Sequence, residues 1–202
     1  MDHGLSELRA TLARDVHEGA ITLLGCRLRK GELEAQIVEV EAYHEREPGC
    51  HAFTGQTPRN APLYGPPGTA YVYLSYGVHW LLNVVCESEG VAAAVLIRAA
   101  IPTHGIEAMR SRRPAATSTE QLLRGPGCLG QAFALDGSEN GQDMLDPGGS
   151  LHLLPGPPPP EIVSGTRIGL SPGKGDELPW RYFDLGQRKF VSSHRRWTAR
   201  VE

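Results

Sequence analysis

The sequence predicts an α+β fold, one mixed domain over residues 1–202 with a curved, largely antiparallel sheet, short flanking helices and a protruding β-hairpin. Three observations lead there. Strand-like segments recur along the chain without the regular intervening helices that a doubly wound parallel sheet requires. The helical patterns that do occur are short. Residues 70–85 (AYVYLSYGVHWLLNVV), aromatic and β-branched, are interrupted only by Ser75-Tyr76-Gly77-Val78, where a glycine able to take φ > 0 marks a hairpin with Tyr76 at its tip.

Leu5, Leu8, Leu12 and Val16 recur at three- and four-residue steps and predict an amphipathic helix over 5–17. The period then changes: ITLLGCRLRKGELEAQIVEVEAY reads as two strands around a Lys30-Gly31 turn. Residues 46–67, rich in Gly, Pro, Thr and Asn, form a long loop, and an ordered loop of that length in a compact domain is more often functional than idle. After the hairpin, Val91–Ile101 reads as a buried strand closed by Pro102, and Ile106–Arg113 as a short basic helix ended by Pro114. Thr117 and Glu120 have capping-box spacing before another short helix. A Gly/Asp stretch and the PGPPPP run at 155–160 precede strands around Ile162–Leu170 and Trp180–Phe183.

Composition bounds the function. A chain of 202 residues, 40% hydrophobic and 21% charged, can bury roughly 70% of its unfolded surface, so its core needs no metal or disulfide. No run of about 18 apolar residues exists and no secretory leader opens the chain, which implies a cytoplasmic protein without a membrane partner. Cys26, Cys50, Cys86 and Cys128 contain no CxxC pair and read as reduced thiols. Seventeen arginines accompany only Lys30, Lys174 and Lys189, so a Schiff-base mechanism has few candidates while bidentate phosphate contacts have many. The net charge of −3 argues against coating nucleic acid by bulk electrostatics. Its distribution restricts that inference. Residues 167–202 hold eight bases (Arg167, Lys174, Arg181, Arg188, Lys189, Arg195, Arg196, Arg200) against Asp176, Glu177, Asp184 and Glu202. Arg110, Arg112, Arg113 and Arg124 add to them, which implies a basic phosphate-facing surface on an acidic whole.

On strand 38–43, Glu39, Glu41 and Tyr43 share one face, and Val38, Val40 and Ala42 the other. Two carboxylates and a phenol on one face are either the solvated side of a half-exposed strand or an acid–base group. The strand runs into the loop carrying His44 and His51, a usual place for a general base. His44, Cys50 and His51 match no compact metal motif, no G-x-S-x-G elbow occurs, and neither Gly-rich phosphate-loop pattern is present. Tyr71 and Tyr73 alternate on the hairpin strand, Tyr71 as a core aromatic; Tyr76 at an exposed tip implies a surface that something else covers.

VEVEAY at 38–43, CHAFTGQTPRNAPLYGPPGTAYVYLSYGVHWLLNVV at 50–85 and VLIRAAIP at 95–102 resemble the alkyladenine (3-methyladenine) DNA glycosylase family. RGPGCLGQAFAL at 124–135, RIGL at 167–170 and PWRYF at 179–183 continue the resemblance in family order. It implies a monomeric, metal-free and cofactor-free enzyme that flips damaged purines (3-methyladenine, 7-methylguanine, hypoxanthine, ethenoadenine) from double-stranded DNA and cuts the N-glycosidic bond without lyase chemistry. By motif, Glu41 would be the general base that activates water and stabilises the oxocarbenium-like transition state. Arg98 would hold Glu41 and the water, and Glu39 would be a supporting strand residue. Tyr43, His51 and Tyr73 would grip the flipped base, Asn83 would reject the amino group of normal guanine, and Tyr76 would fill the vacated stack. Departures are Cys128, where a lysine is common, Ser75 in place of a larger apolar residue, and a loop before His51 one residue shorter than in vertebrate members. Two other function classes stay in view: a nucleic-acid module without catalysis, and a hydrolase of free nucleosides using Glu39 and Glu41 as a carboxylate pair.

Overall fold

A computed structural model describes residues 3–192 and 197–201, with 197–200 traced as backbone. Arg195, Arg196 and Glu202 of the basic segment lie outside the described residues. The chain opens on two helices, α1 (His3–Leu12) and α2 (Val16–Leu23), where the periodicity predicted one over 5–17. Asp15 makes the break: in extended conformation (φ −153°, ψ 141°), its carboxylate accepts hydrogen bonds from His17 N (2.7 Å) and Glu18 N (3.2 Å). Such a side chain competes with the helix on its N-terminal side and caps the one after it. α2 takes up Ile21–Leu23, whose apolar run reads equally as strand or buried helix.

Strands β1 (Arg27–Lys30) and β2 (Leu33–His44) then pair across the turn at Gly31, whose φ of +55° suits glycine. The predicted hairpin is present as β3 (Ala70–Ser75) and β4 (His79–Val85). Its turn has Tyr76 at φ +50° and Gly77 at φ +69°, closed by Val78 N donating to Ser75 O at 3.0 Å, the mirror-image turn whose twist matches the strands. β5 (Ala93–His104) runs past Pro102, the expected stop. Pro102 faces Ala35 beside a register shift, where the ladder does not need the missing N–H.

α3 (Ile106–Arg112) follows as expected. The Thr117/Glu120 box does not form an α-helix: Gln121 reaches back to Thr117 N at 2.9 Å, and only a three-residue 3₁₀ turn, Thr119–Gln121, results. α4 (Pro126–Ala132), not foreseen, starts on a proline suited to the first helical position. It packs so closely on β4 that a Cβ at Gly130 would stand 2.0 Å from the Trp80 carbonyl oxygen. Short strands β6 (Leu151–Leu154), β7 (Ile162–Gly165), β8 (Arg181–Asp184) and β9 (Trp197–Arg200) complete the chain. β7 ends at Gly165, so Arg167–Leu170, read as strand, is a connection.

Among the described residues the strands form one antiparallel sheet in the order β3-β4-β5-β2-β8-β7-β9, with β1 paired to β2 and β6. The predicted α+β class with a curled antiparallel sheet is what the structure shows. β2 is central, flanked by β5 and β8, and shifts register on both sides of Glu39. The main core joins Leu12, Leu23, Val40, Ala42, Val84, Val95, Ile97, Leu129 and Phe133. A second cluster (Cys50, Ala52, Leu63, Tyr71, Val85, Ala92, Ala94) sits under the long loop, with Tyr43 and Tyr73 partly buried against it. No helix among the described residues is long and apolar enough to cross a membrane.

Candidate active site

A cavity of about 550 Å³ opens where β2, β4 and β5 meet the long loop and the hairpin. That is an ordinary size for a small-molecule site, tens of times what one water needs. The sheet supplies its floor: Asn83 pairs with Tyr71 on β3 and Leu96 on β5, and Leu96 and Arg98 share a face of β5 by the two-residue period. Tyr43, His51, Tyr73, Tyr76, Asn83 and Arg98, all singled out in the sequence, line it together.

The sheet also explains why the carboxylates are not solvated. β2 is an interior strand between β5 and β8, and Arg98, Arg181, the Ile168 connection and the segment at Ser192 lie against its carboxylates, so that Glu39 and Glu41 are both fully buried. Glu41 lies behind Tyr43, Arg98 and Ile168, which face the cavity. Among the described residues three donors hold it: Ile168 N to Oε1 at 2.7 Å, and Tyr43 OH (2.8 Å) and Arg98 Nη1 (3.1 Å) to Oε2. A buried carboxylate needs such partners, because an unpaired charge away from water is very costly. Among the described residues Oε2 has both lone pairs engaged, whereas Oε1 has one acceptor site without a donor.

Burial, and then the Glu41 charge, raise the Tyr43 phenol well above its usual range, so it is a proton donor to Glu41 at any physiological pH. Burial pushes Tyr73 up to about 12. His51 is lowered, first by desolvation and then by Arg59, which keeps its ring neutral near pH 7. His51 Nδ1 meets Tyr71 OH at 3.0 Å, and its ring stands edge-on to Tyr73 at 4.6 Å. His51 and Tyr73 therefore form one continuous aromatic wall. Tyr71, buried as expected of a core aromatic, still takes part in the site by orienting His51. Asn83 Nδ2 donates to Tyr71 O at 3.1 Å, which sets the direction of its amide.

Tyr76 is 93% exposed and, with Val78 (69%) and Leu74 (37%), puts apolar surface on the projecting hairpin. Ser75 lines the cavity mouth; Cys128 does not, although its neighbours Pro126 and Gly127 do. Cys50 touches the cavity, but burial raises its thiol to about 11, the behaviour of an inert packing residue.

Two residues require correction and two were missed. Arg167 and Arg181, which the charge distribution assigns to a phosphate-facing surface, are both buried. Arg167 makes a bidentate pair with Glu47 (2.7 Å to each oxygen), donates to Ala42 O and Gly175 O, and stacks on the Tyr43 ring with its guanidinium carbon 4.5 Å from the centroid. Arg181 Nη1 binds Glu39 at 3.0 Å. Carboxylates remote in sequence absorb both charges, leaving Lys174, Arg188 and Lys189 as the exposed bases among the described side chains of that segment. The missed residues are Ile168, whose backbone N–H holds Glu41, and Ser192, which binds Glu39 through its N and Oγ. A main-chain donor leaves no mark in side-chain identity, and the Ser192-Ser193 pair belongs to no motif and carries no spacing signal.

Comparison with known proteins places the chain in a family. The family model of methylpurine-DNA glycosylase (MPG) matches residues 10–188. A protein of Rhodopseudomonas palustris strain BisB18, named as a 3-methyladenine DNA glycosylase, is 52% identical over 184 residues, covering 91% of this chain and 89% of its own. Similarly named proteins of Rubrobacter xylanophilus (51% over 178 residues; 86% of this chain, 90% of its own) and Burkholderia cenocepacia (41% over 184 residues; 89% and 88%) match over almost the same extent. The matched span takes in every residue that lines the cavity as well as Glu39 and Glu41. A buried, triply held carboxylate beside an aromatic cavity thus sits in a chain that belongs to the methylpurine-DNA glycosylase family, the DNA glycosylases that hydrolyse a base from its sugar in base excision repair.

Proposed function

We propose that the protein flips an alkylated or deaminated purine (3-methyladenine, 7-methylguanine, hypoxanthine or ethenoadenine) out of duplex DNA into the cavity and hydrolyses its N-glycosidic bond with a water activated by Glu41. The observation that carries this reading is the Glu41 carboxylate, fully buried directly behind the cavity-lining Tyr43, Arg98 and Ile168, with one acceptor position of Oε1 not taken up among the described residues. A water donating to Oε1 gives up its proton there as its oxygen attacks C1′; the C1′–N bond breaks and its electrons leave with the base. The same negative charge stabilises the positive charge that develops on the sugar.

Arg98 fixes Glu41 and has further N–H groups to direct at the water. Tyr43, His51 and Tyr73 supply aromatic surface to the purine. The neutral state of His51 suits this role, since a cationic alkylpurine meets no charge there and gains from the electron-rich faces of the rings. Asn83, its amide direction set by Tyr71 O, would face the exocyclic group of guanine unfavourably. Tyr76, projecting into solvent from a left-handed turn position, would take the place of the flipped base. No lysine lines the cavity, which supports hydrolysis without a Schiff base and hence without lyase activity.

Glu39 and Glu41 do not flank the cavity as a glycosidase pair would, because Glu39 is taken up by Arg181 and Ser192. The reading takes residues 1–202 as one glycosylase unit, acting as a monomer in the bacterial cytoplasm where the DNA is. The test is base release from a panel of duplexes, each bearing one lesion, by the wild type and by Glu41→Gln. Excision of at least one alkylated purine by the wild type, lost in the variant, is expected; wild-type rates in the variant would overturn the assignment of the base.

A further inference from the structure

Glu39 is fully buried, does not line the cavity and has no part in the steps described above. Its partners nevertheless converge on the centre. Its Oε1 accepts from Arg181 Nη1 (3.0 Å) and Ser192 Oγ (2.9 Å), its Oε2 accepts from Ser192 N (2.7 Å), and Arg98 Nε stands 3.6 Å from Oε1. A serine hydroxyl has one proton. Given to Glu39, it leaves the Ser192 oxygen only as an acceptor, and Arg98 Nε (3.4 Å) and Nη2 (3.3 Å) both approach that oxygen. The guanidinium is a rigid planar fork, so docking its Nε/Nη2 edge determines where Nη1 points, and Nη1 meets Glu41 Oε2 at 3.1 Å.

From this geometry we propose that Glu39 is a positioning residue: together with the Ser192 hydroxyl it aims Arg98 at Glu41, so that docking of the segment around Ser192 completes the catalytic centre. The proposal rests on the reading of Glu41 as the base.

Charge assignment supports it. Two carboxylates and two guanidiniums form one buried group, and Arg181 takes the closer contact with Glu39 (3.0 Å against 3.6 Å for Arg98), which leaves the nearest ion contact of Arg98 to Glu41. The segment is docked independently of Glu39. Phe190 packs with Val38 and Ala99, Val191 packs with Val163 and Phe183, and Arg124 Nε donates to Val191 O at 2.8 Å. Glu39 therefore converts the docking of residues 190–192, some 150 positions along the chain, into the orientation of one guanidinium.

Three variants test this: Ser192→Ala, which removes the hydroxyl and keeps the backbone N–H to Glu39; Ser192→Thr, which restores a hydroxyl; and Glu39→Gln. Single-turnover base release from methylated duplex, the Kd for the same duplex and thermal melting are measured for each. Ser192→Ala is expected to slow release about tenfold with Kd within about twofold, as befits a lost hydrogen bond to a charged group. Ser192→Thr should recover most of that loss. Glu39→Gln, if folded, should slow release about a hundredfold, the scale of a misplaced catalytic group. Wild-type release by Ser192→Ala, whatever its melting temperature, would show Glu39 and Ser192 to be merely structural and overturn the proposal, as would a loss confined to Kd. If Glu39→Gln does not fold, the Ser192 pair decides. Failure of the wild type itself to release any methylated purine is a separate outcome that overturns the functional reading and the proposal with it.

Discussion

Replacing Glu41 with glutamine changes one oxygen to NH₂ and cannot satisfy the site. With the amide oxygen toward Tyr43 OH and Arg98 Nη1, the NH₂ faces the Ile168 N–H, a donor against a donor where the native distance is 2.7 Å. Turned the other way, it confronts two donors instead. A buried donor left unsatisfied costs about 1–3 kcal/mol. Breaking a buried ion pair outright costs about 3–5 kcal/mol, but Glu39 stays 3.6 Å from Arg98 and retains part of that attraction. A net destabilisation of about 2–4 kcal/mol follows, and at roughly 2–4 °C per kcal/mol for a chain of this length the Tm falls by roughly 4–16 °C. The rate should fall much further. General-base assistance contributes about 10²–10⁴ and preorganised charge a further 10² or more, so single-turnover release should drop at least ~10³-fold, equivalent to about 4 kcal/mol of barrier. The assay is release of 3-methyladenine or hypoxanthine from duplex, run well below the variant's Tm, with Kd for lesion DNA measured in parallel. A folded variant that binds normally and releases base within tenfold of wild type would refute the reasoning.

Tyr76→Ala should cut excision from duplex by at least about tenfold while leaving Tm within about 1 °C, since a side chain 93% exposed has little packing to lose; unchanged excision would remove the wedge. Gly130→Ala places a Cβ 2.0 Å from the Trp80 carbonyl and should destabilise by about 1–3 kcal/mol through overpacking, measured by urea unfolding. Burial lowers the titration of His17, whose Nδ1 meets Tyr182 OH at 2.9 Å. The unfolded chain therefore binds this proton more readily, and the stability contributed by neutral His17 is present above about pH 6.5 and lost as pH falls through its lower folded value. His17→Gln should flatten the decline in Tm between pH 7 and pH 5, and an identical decline in both proteins would contradict this. Because Glu47 and Glu39 engage Arg167 and Arg181, non-specific duplex binding should show a shallow salt dependence. A log–log slope steeper than about −6, the signature of many released counterions, would contradict this.

The hairpin was legible from residues 70–85 because its signal is local: β-branched and aromatic flanks and one Tyr-Gly pair that the turn requires. The candidates Glu41, Tyr43, His51, Tyr73, Asn83 and Arg98 were legible by motif, and the fold does bring them to one cavity with Glu41 just behind it. The helix break at Asp15 was not, since three-residue periodicity continues through a capping residue. Nor was the burial of Glu39 and Glu41. Alternation along β2 suggests one wet face, and only the later arrival of Arg98, Arg181, the Ile168 connection and the segment at Ser192 against its carboxylates removes the water.

The sequence by itself thus determined the class of fold, the projecting tyrosine and which residue types are available for chemistry, because these depend on neighbours a few positions apart. The tertiary structure decided which charges are spent inside the protein and which remain outside. Arg98 meets Glu41, Arg167 meets Glu47 and Arg181 meets Glu39 across separations of 57, 120 and 142 residues. Those pairings follow from strand order and burial, which make an unpaired charge too costly to keep, and they divide the arginines between those held inside the protein and those left at its surface.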